Sequence, residues 1–335
     1  MIFIITLIIS IVFVYLCENR KLLLSKSGDV HQNFIGTRNT PLVGGIVLFI
    51  AIFAAHIKEL NFFLFFIFSI LIVGIFSDTE KKLSPVSRLI LQTSIIFISV
   101  YLFKNTISLT NLQILDNILN YKFLSVFFTT FCILILVNGT NFIDGTNFNV
   151  IGYYLCIAII LLFFENFGKL NFLSIYTLDL IMILLALAVL NKINRLYLGD
   201  SGSYLLGFIF GFELINYYNL NSPSPFFIIL LLWYPCFELL FSIFRKINFN
   251  RSPLKPDSKH FHQLLYFFLN HRLKKPVLSS NLTGLIINFY NLMIFIIAVR
   301  DPSHTQLQII LILMNLIIYS FIYLRLLKYR FKINF

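Results

Sequence analysis

Long apolar runs separated by short polar loops dominate this sequence and restrict its fold more than any other feature. Of the 335 residues, 59% are hydrophobic and only 12% are charged, whereas soluble domains are about 45–50% apolar and about 25% charged. The mean hydropathy is +0.88. A water-soluble globule could not bury so much apolar surface, and a disordered chain needs low hydrophobicity. The composition therefore excludes a soluble enzyme, a DNA-binding domain and a disordered chain, and it indicates an integral membrane protein.

The number and length of the apolar runs predict the architecture. A membrane-spanning helix needs about 20 mostly apolar residues, or about 17 at the short end. We therefore expect an all-α, polytopic membrane protein with about eleven transmembrane helices, and the first run is expected to be retained because it lacks signal-peptide features. The predicted spans are 1–17, 42–57, 60–77, 87–103, 123–138, 150–164, 172–190, 203–219, 225–244, 282–299 and 306–324. No repeat and no soluble domain is visible, so residues 1–335 are predicted to form one membrane domain.

Basic residues alternate between successive loops. Of the 26 Lys and Arg residues, all but five lie in loops that follow odd-numbered spans or in the C-terminal tail; the five are Lys58, Lys104, Lys122, Lys169 and Arg300. Because cytoplasmic loops carry the excess of Lys and Arg, we expect the N-terminus outside and the C-terminus in the cytoplasm. The net charge of +12 then reflects loops facing anionic lipid, and no nucleic-acid partner is expected.

Polar, glycine-containing clusters fall on the predicted cytoplasmic side, at the ends of spans. Three of them are 40–45, preceded by Arg38, then 74–78 with Ser77 and Asp78, and 198–203 with Asp200. Each also has a purely structural interpretation, which stays open. The first could be a plain helix start, Asp78 could be a solvated residue at a helix end, and the third could be a capping loop.

The cluster at 138–145 favours function more strongly. Asn138, Asn141 and Asp144 recur at every third position, which places them on roughly one face of a helix end. A lone Asp facing lipid costs about 2.5–3.5 kcal/mol. Three such groups lining a cavity could instead hold a ligand.

The polar loop predicted from 245 to 280 carries a further cluster of cations and imidazoles. It contains Arg251, Asp257, His260 and His262. The His-x-His pair is weak evidence for a transition-metal site, because no nearby Cys or third His completes a ligand set. The adjacent cations indicate either a phosphate-binding surface or a loop resting on anionic headgroups.

Three acidic residues lie at the predicted span ends, namely Asp78, Asp144 and Asp200. They would repel one another if the fold brought them together. Two unit charges about 6 Å apart at an effective dielectric of about 20 cost roughly 3 kcal/mol. A divalent cation would relieve that repulsion, and carboxylates with water and substrate phosphates suit Mg²⁺. We therefore hypothesise an Mg²⁺-dependent phosphoryl transfer to a lipid acceptor on the cytoplasmic face.

Five motifs, in this order and spacing, resemble the polyprenyl-phosphate N-acetylhexosamine-1-phosphate transferases of the glycosyltransferase family 4 type. They are Thr40-Pro-x-x-Gly-Gly45, Gly74-x-x-x-Asp78, Asn138-x-x-Asn141-x-x-Asp144-Gly145, Leu198-Gly-Asp-Ser-Gly-Ser203 and Pro256-Asp-x-x-His-x-His262. The resemblance runs from about residue 28 to 270. It implies that a UDP-N-acetylhexosamine and polyprenyl phosphate give a polyprenyl-diphospho-sugar and UMP, which initiates a cell-envelope glycan.

The resemblance also implies roles for individual residues. Asp200 would be the Mg²⁺ ligand, while Asp78 and Asp144 would lie beside the metal and help to deprotonate or orient the lipid phosphate. Substrate contacts would come from Arg38, Ser77, Asn138, Asn141, Arg251, Asp257, His260 and His262. Relatives of this kind also suggest a homodimer.

Three positions depart from the family pattern. Ser77 stands where the family has the first of two adjacent aspartates, Asn147 stands where it has a second Asp, and Gln263 follows the His-x-His pair. A serine cannot replace a carboxylate in holding a proton or Mg²⁺, so either Asp78 carries that role alone or the protein is slow or inactive.

Two alternatives to the transferase follow. A degenerate homologue would bind lipid or a partner without catalysis. A transporter would use Glu213 and Glu238 inside the spans, although the sequence shows no inverted repeat.

Overall fold

A computed structural model describes residues 1–25, 40–55, 62–79, 83–163, 171–172, 175–250, 252 and 258–333. Helices account for nearly all of these residues. They are α1 (Ile2–Arg20), α2 (Gly44–Ala55), α3 (Phe63–Asp78), α4 (Pro85–Phe103), α5 (Gln113–Leu119), α6 (Lys122–Ile143), α7 (Asn149–Phe163), α8 (Thr177–Lys192), α9 (Gly199–Asn221), α10 (Pro225–Leu231), α11 (Trp233–Asn248), α12 (Phe261–Leu273), α13 (Pro276–Ala298) and α14 (Thr305–Ile333). A two-residue antiparallel hairpin pairs β1 (Asn171–Phe172) with β2 (Ile175–Tyr176).

The predicted helical membrane architecture is confirmed, because each of the eleven predicted segments overlaps a helix. Within the described ranges, five helices are long and apolar enough to cross a membrane, namely α1, α4, α6, α13 and α14, and the bent pair α10–α11 makes a sixth. Helices α2, α3 and α7 are apolar but shorter. The count of eleven spans and the orientation of the chain remain predictions.

A proline accounts for the bend between α10 and α11. The two helices meet at 75°, and Pro235 lies in the first turn of α11. Proline has no N–H to donate to the carbonyl four residues earlier. That carbonyl, on Leu231, accepts a hydrogen bond from the Tyr153 hydroxyl at 2.7 Å instead. A proline kink inside one apolar run therefore redirects the chain without leaving this backbone acceptor unsatisfied.

Helix α9 is the central element of the fold. It packs against α6, α3 and α2, and nearly every residue from Gly199 to Tyr217 is buried. Two glycines on neighbouring helices permit the close approach at its N-terminus. A Cβ on Gly74 would lie 2.2 Å from the Cα of Ser201, and one on Gly45 would lie 2.4 Å from the backbone nitrogen of Gly202. The glycine motifs of separate spans therefore serve one packing site.

The prediction of a continuous polar loop from 245 to 280 was wrong, because this region contains α12. Helix α12 begins directly after His260, and the Gln263 side chain accepts a hydrogen bond from the backbone N–H of His260 at 3.2 Å. Leu264 and Leu265 face inward and are buried. The cations on both sides of this short apolar stretch masked its helical pattern in the sequence.

Candidate active site

The N-terminus of α9 is fixed by a carboxylate from α3. Asp78 accepts hydrogen bonds from the backbone N–H of Asp200, at 2.9 Å to Oδ1, and of Ser201, at 3.0 Å to Oδ2. Gly199 precedes them with φ of +75°, and a Cβ there would meet Asp78 Oδ2 at 2.8 Å. Helix N-termini expose backbone donors and favour anions. Asp78 thus holds Asp200 in position, because both of its oxygens are engaged by the backbone of α9.

The Asp200 carboxylate is surrounded by donors from α3, α4 and α9. Arg88 Nη1 lies 3.1 Å from Asp200 Oδ2 and 2.7 Å from Ser77 Oγ. The Ser77 hydroxyl donates to the same Oδ2, and the Tyr204 hydroxyl reaches it at 3.5 Å. The Asp200 and Arg88 side chains retain 20% and 27% of their exposed area. An accessible, charge-compensated carboxylate therefore lies at the start of the central helix.

Asp144 approaches this cluster from the end of α6. Burial raises the pKa of Asp144 to about 8, and the nearby Asp200 carboxylate contributes to that rise. The two acids, which are far apart in the sequence, are therefore close enough in space to repel each other. At neutral pH the Asp144 carboxyl carries its proton in most molecules unless a cation is nearby.

The carboxylates fit a magnesium ion that is held partly by substrate. In the part of the chain that the structure describes, no group of three or more His, Cys, Asp or Glu side chains could hold a metal. Asp78 is engaged by backbone donors, which leaves Asp144 and Asp200. Mg²⁺ is usually bound through one or two carboxylates together with substrate phosphates and water. This donor set suits such an ion and does not form an all-protein cage.

The two asparagines predicted to line a pocket contact different helices. Asn138 donates to Gln92 Oε1 on α4 at 3.0 Å. Asn141 accepts from the Ser203 hydroxyl on α9 at 3.0 Å, and its amide nitrogen lies 3.5 Å from the Tyr204 hydroxyl. Asn141 thus belongs to the Asp200 cluster, whereas Asn138 joins α6 to α4.

A buried carboxylate orients the first histidine of the His-x-His pair. Glu238 Oε1 lies 3.0 Å from His260 Nδ1 and accepts from the backbone N–H of Phe261 at 3.2 Å. The other oxygen of Glu238 accepts from the Tyr319 hydroxyl at 2.6 Å. These contacts hold the imidazole of His260 in one orientation, with Nδ1 toward the protein.

The histidine pair lies beside the end of α6. The rings of His260 and His262 are nearly parallel, with centroids 5.8 Å apart, and His260 meets the Phe142 ring edge-on at 5.1 Å. A Cβ on Gly145 would lie 2.2 Å from His262 Nε2. The histidine pair therefore reaches the segment that carries Asp144, and only a glycine at 145 leaves room for His262.

Asn147 has a structural role that explains its departure from the family acid. Its side-chain amide donates to Asn194 and to Asn281 Oδ1 at 3.0 Å, and its backbone N–H donates to Ser280 Oγ at 2.8 Å. The side chain is buried. A carboxylate at this position could not donate to either asparagine oxygen.

Three predicted site residues, Arg38, Arg251 and Asp257, lie outside the described residues. Conversely, the predicted site left out Arg88 and Tyr204. In the sequence Arg88 falls among the predicted loop cations that follow the cluster at 74–78, and it lies at the start of an apolar run. A cation entering an apolar helix needs a partner, and that signal could have linked it to one of the acids.

Comparison with known proteins supports the motif resemblance. Residues 60–218 match the family model of glycosyl transferase family 4. The chain is 25% identical over 148 residues to the undecaprenyl-phosphate alpha-N-acetylglucosaminyl 1-phosphate transferase of Escherichia coli, covering 42% of this chain and 40% of the relative. It is 27% identical over 190 residues to the decaprenyl-phosphate N-acetylglucosaminephosphotransferase of Mycolicibacterium smegmatis, covering 49% and 46%.

The fold is that of a helical membrane protein, and the matched region, a little under half of the chain, is similar to glycosyl transferase family 4. Within that region the chain is similar to the polyprenyl-phosphate transferases named above, in agreement with its motifs. The alignments span about 40% of the length of the first curated relatives. The matched residues include Ser77, Asp78, Asp144 and Asp200 but end before the histidine pair.

Proposed function

We propose that this protein transfers N-acetylhexosamine-1-phosphate from a UDP-sugar to polyprenyl phosphate, releases UMP and initiates a cell-envelope glycan. The observation that carries the proposal is the cluster at the N-terminus of α9, where Asp78 holds the backbone of Asp200 and Ser77 and Arg88 contact its carboxylate. The relatives named above, which are transferases acting on undecaprenyl or decaprenyl phosphate, support the acceptor. The reaction would occur at the cytoplasmic face of the inner membrane.

The proposed reaction requires little covalent chemistry from the protein. An oxygen of the lipid phosphate attacks the sugar-bearing phosphorus of the UDP-sugar, and the bond from that phosphorus to the bridging oxygen breaks as UMP leaves. A phosphate monoester has a second pKa near 6, so the nucleophile is mostly ionised at neutral pH. Catalysis then depends on positioning and on stabilising negative charge.

Each side chain of the site has a task in this reaction. Asp200 would hold the magnesium ion, and Asp144 would lie beside it and help to orient or deprotonate the lipid phosphate. When bound, Mg²⁺ would neutralise charge on the phosphates. His260, oriented by Glu238 through Nδ1, would donate from Nε2 to the diphosphate in its imidazolium form. Asp78 would act through Asp200 by fixing the helix start.

The test is UMP release by the full-length protein in detergent with polyprenyl phosphate, Mg²⁺ and a panel of UDP-sugars. We expect turnover with a UDP-N-acetylhexosamine and a loss of about 10³-fold or more in Asp200→Asn, by analogy with removing one transition-state contact. Asp301→Asn is the matched control, because Asp301 is exposed and lies in the turn between α13 and α14.

Absence of UMP release with every UDP-sugar, from wild-type protein that still unfolds in a cooperative thermal transition, would overturn the transferase proposal. That outcome would favour a degenerate homologue that binds lipid or a partner, the alternative that Ser77 motivates. That the sugar is an N-acetylhexosamine and that the protein is a homodimer remain predictions, and the same purified protein can be used to test both.

A further inference from the structure

Arg88 uses only part of its guanidinium to contact the protein. Nη1 contacts Ser77 Oγ at 2.7 Å, Asp200 Oδ2 at 3.1 Å and the Tyr204 hydroxyl at 3.3 Å. Among the described residues, Nη2 has no hydrogen-bond partner, and the side chain retains 27% of its exposed area. A guanidinium carries five N–H donors in a planar fork. Arg88 therefore presents unused donors beside the accessible edge of Asp200.

Ser77 determines whether those donors are available to a ligand. Its hydroxyl is neutral, accepts from Arg88 and donates to Asp200. The pair formed by Arg88 and Asp200 is thus electrically balanced, and no second carboxylate competes for the guanidinium at this point. An aspartate at position 77 would add a negative charge directly against Arg88 and would repel an incoming anion.

The location of Arg88 indicates from which side an anion would arrive. Arg88 lies in the first turn of α4, a helix long and apolar enough to span the membrane. Its neighbours Val86, Leu89 and Ile90 are exposed apolar residues, as expected for a surface that contacts lipid chains. An anionic headgroup whose chain follows this face would meet Arg88 before it reached Asp200.

We propose that Arg88 and Ser77 form a phosphate-binding subsite for the lipid acceptor, with the free Nη2 edge of Arg88 donating to the phosphoryl oxygens. Arginine matches phosphate with paired N–H donors. The inference rests on the proposed function. In this proposal Ser77 favours binding of the acceptor, and its presence is more than the loss of a catalytic acid. Replacing Ser77 with the aspartate of the family pattern should therefore weaken binding of the acceptor phosphate.

The test measures binding of farnesyl monophosphate to the full-length protein in detergent, with farnesol as the uncharged probe and UDP as a probe of the donor side. Ser77→Asp should weaken farnesyl monophosphate binding by about tenfold or more. Ser77→Asn, which matches aspartate in size but lacks its charge, should weaken farnesyl monophosphate binding clearly less than Ser77→Asp does. Arg88→Gln should weaken binding as Ser77→Asp does, and farnesol should bind all variants alike.

Arg272→Gln is the control for loss of a surface cation, because Arg272 is exposed at the end of α12 and stacks on Phe268. If Arg88→Gln does not fold, the pair Ser77→Asp and Ser77→Asn decides, since neither removes the guanidinium. Tighter or unchanged binding in Ser77→Asp overturns the subsite. A loss of UDP binding with farnesyl monophosphate binding intact overturns its assignment to the acceptor.

Binding and turnover separate the two proposals. Wild-type protein that binds farnesyl monophosphate through Arg88 but releases no UMP retains the subsite and defeats the transferase. Wild-type protein that turns over while the Ser77 and Arg88 variants bind acceptor normally retains the transferase and defeats the subsite.

Discussion

The backbone N–H of Asp200 donates to Asp78 Oδ1 over 2.9 Å, which ties the end of α3 to the start of the buried helix α9. The next residue, Ser201, donates to the second oxygen of the same carboxylate. An acid that looks like a proton acceptor in the sequence therefore acts in this structure as a helix cap supplied by another helix.

The first prediction tests that capping role. Asp78→Ala should destabilise the protein by about 1–2 kcal/mol, the usual effect of removing a helix cap, and it should reduce turnover by releasing Asp200. Asp78→Asn keeps one carbonyl acceptor, so it should retain most of the stability and much of the turnover. Thermal unfolding and UMP release measure both effects. If Asp78→Asn were as stable as the wild type but inactive, Asp78 would act as a proton acceptor in addition to capping α9.

The second prediction concerns pH and Asp144. Its pKa rises from the ordinary value of 3.8 to about 8 in the folded protein, so the folded state holds this proton more tightly than the unfolded chain. Unfolding then releases a proton between pH about 4 and about 8, and the contribution of Asp144 to stability falls as pH rises through that window. Above pH 8 the penalty is constant.

Asp144→Asn should therefore remove this pH dependence and raise the unfolding temperature relative to the wild type more at pH 8 than at pH 5. Asp200→Asn removes the neighbouring charge and should lower the pKa of folded Asp144. The pH range over which stability falls should therefore end at a lower pH. Unfolding temperatures measured across this range in Mg²⁺-free buffer give the comparison. If the unfolding temperature changed with pH equally in the wild type and in Asp144→Asn, the burial and repulsion inferred for this carboxyl would be contradicted.

The third prediction compares two glycines in apolar helices. Gly74→Ala would place a Cβ 2.2 Å from the Cα of Ser201, a backbone atom that cannot move alone, whereas Gly211→Ala would meet only the flexible end of Leu136 at 3.0 Å. Overpacking of this kind costs about 1–3 kcal/mol. Gly74→Ala should lower the unfolding temperature and disturb Asp200, while Gly211→Ala should be close to wild type. If Gly74→Ala were as mild as Gly211→Ala, α3 and α9 could move apart without loss of stability.

The sequence predicted the helical segments well because apolar run length is a local property. The approach of Asp144 to Asp200 could also be anticipated, since both lie at span ends on the same predicted side. The partner of each polar group could not be anticipated, because it depends on how helices rotate and tilt when they pack. Asn147 illustrates the limit: it was read as a lost acid, and only the fold shows that its amide must donate to Asn194 and Asn281.

The fourth prediction concerns Glu238, which contacts His260 Nδ1 at 3.0 Å and the Tyr319 hydroxyl at 2.6 Å. Glu238→Gln keeps the size of the side chain but removes the charge that fixes the imidazole orientation, so turnover should fall by about 10- to 100-fold, as for other residues that orient a functional histidine. Tyr319→Phe removes one donor and keeps the carboxylate facing His260, so it should lower stability by about 1 kcal/mol with a smaller effect on turnover. Glu238→Asp keeps the charge on a shorter side chain, so it should retain more turnover than Glu238→Gln. A purely structural Glu238 would instead give unfolding temperatures and turnover that decline together across all three variants.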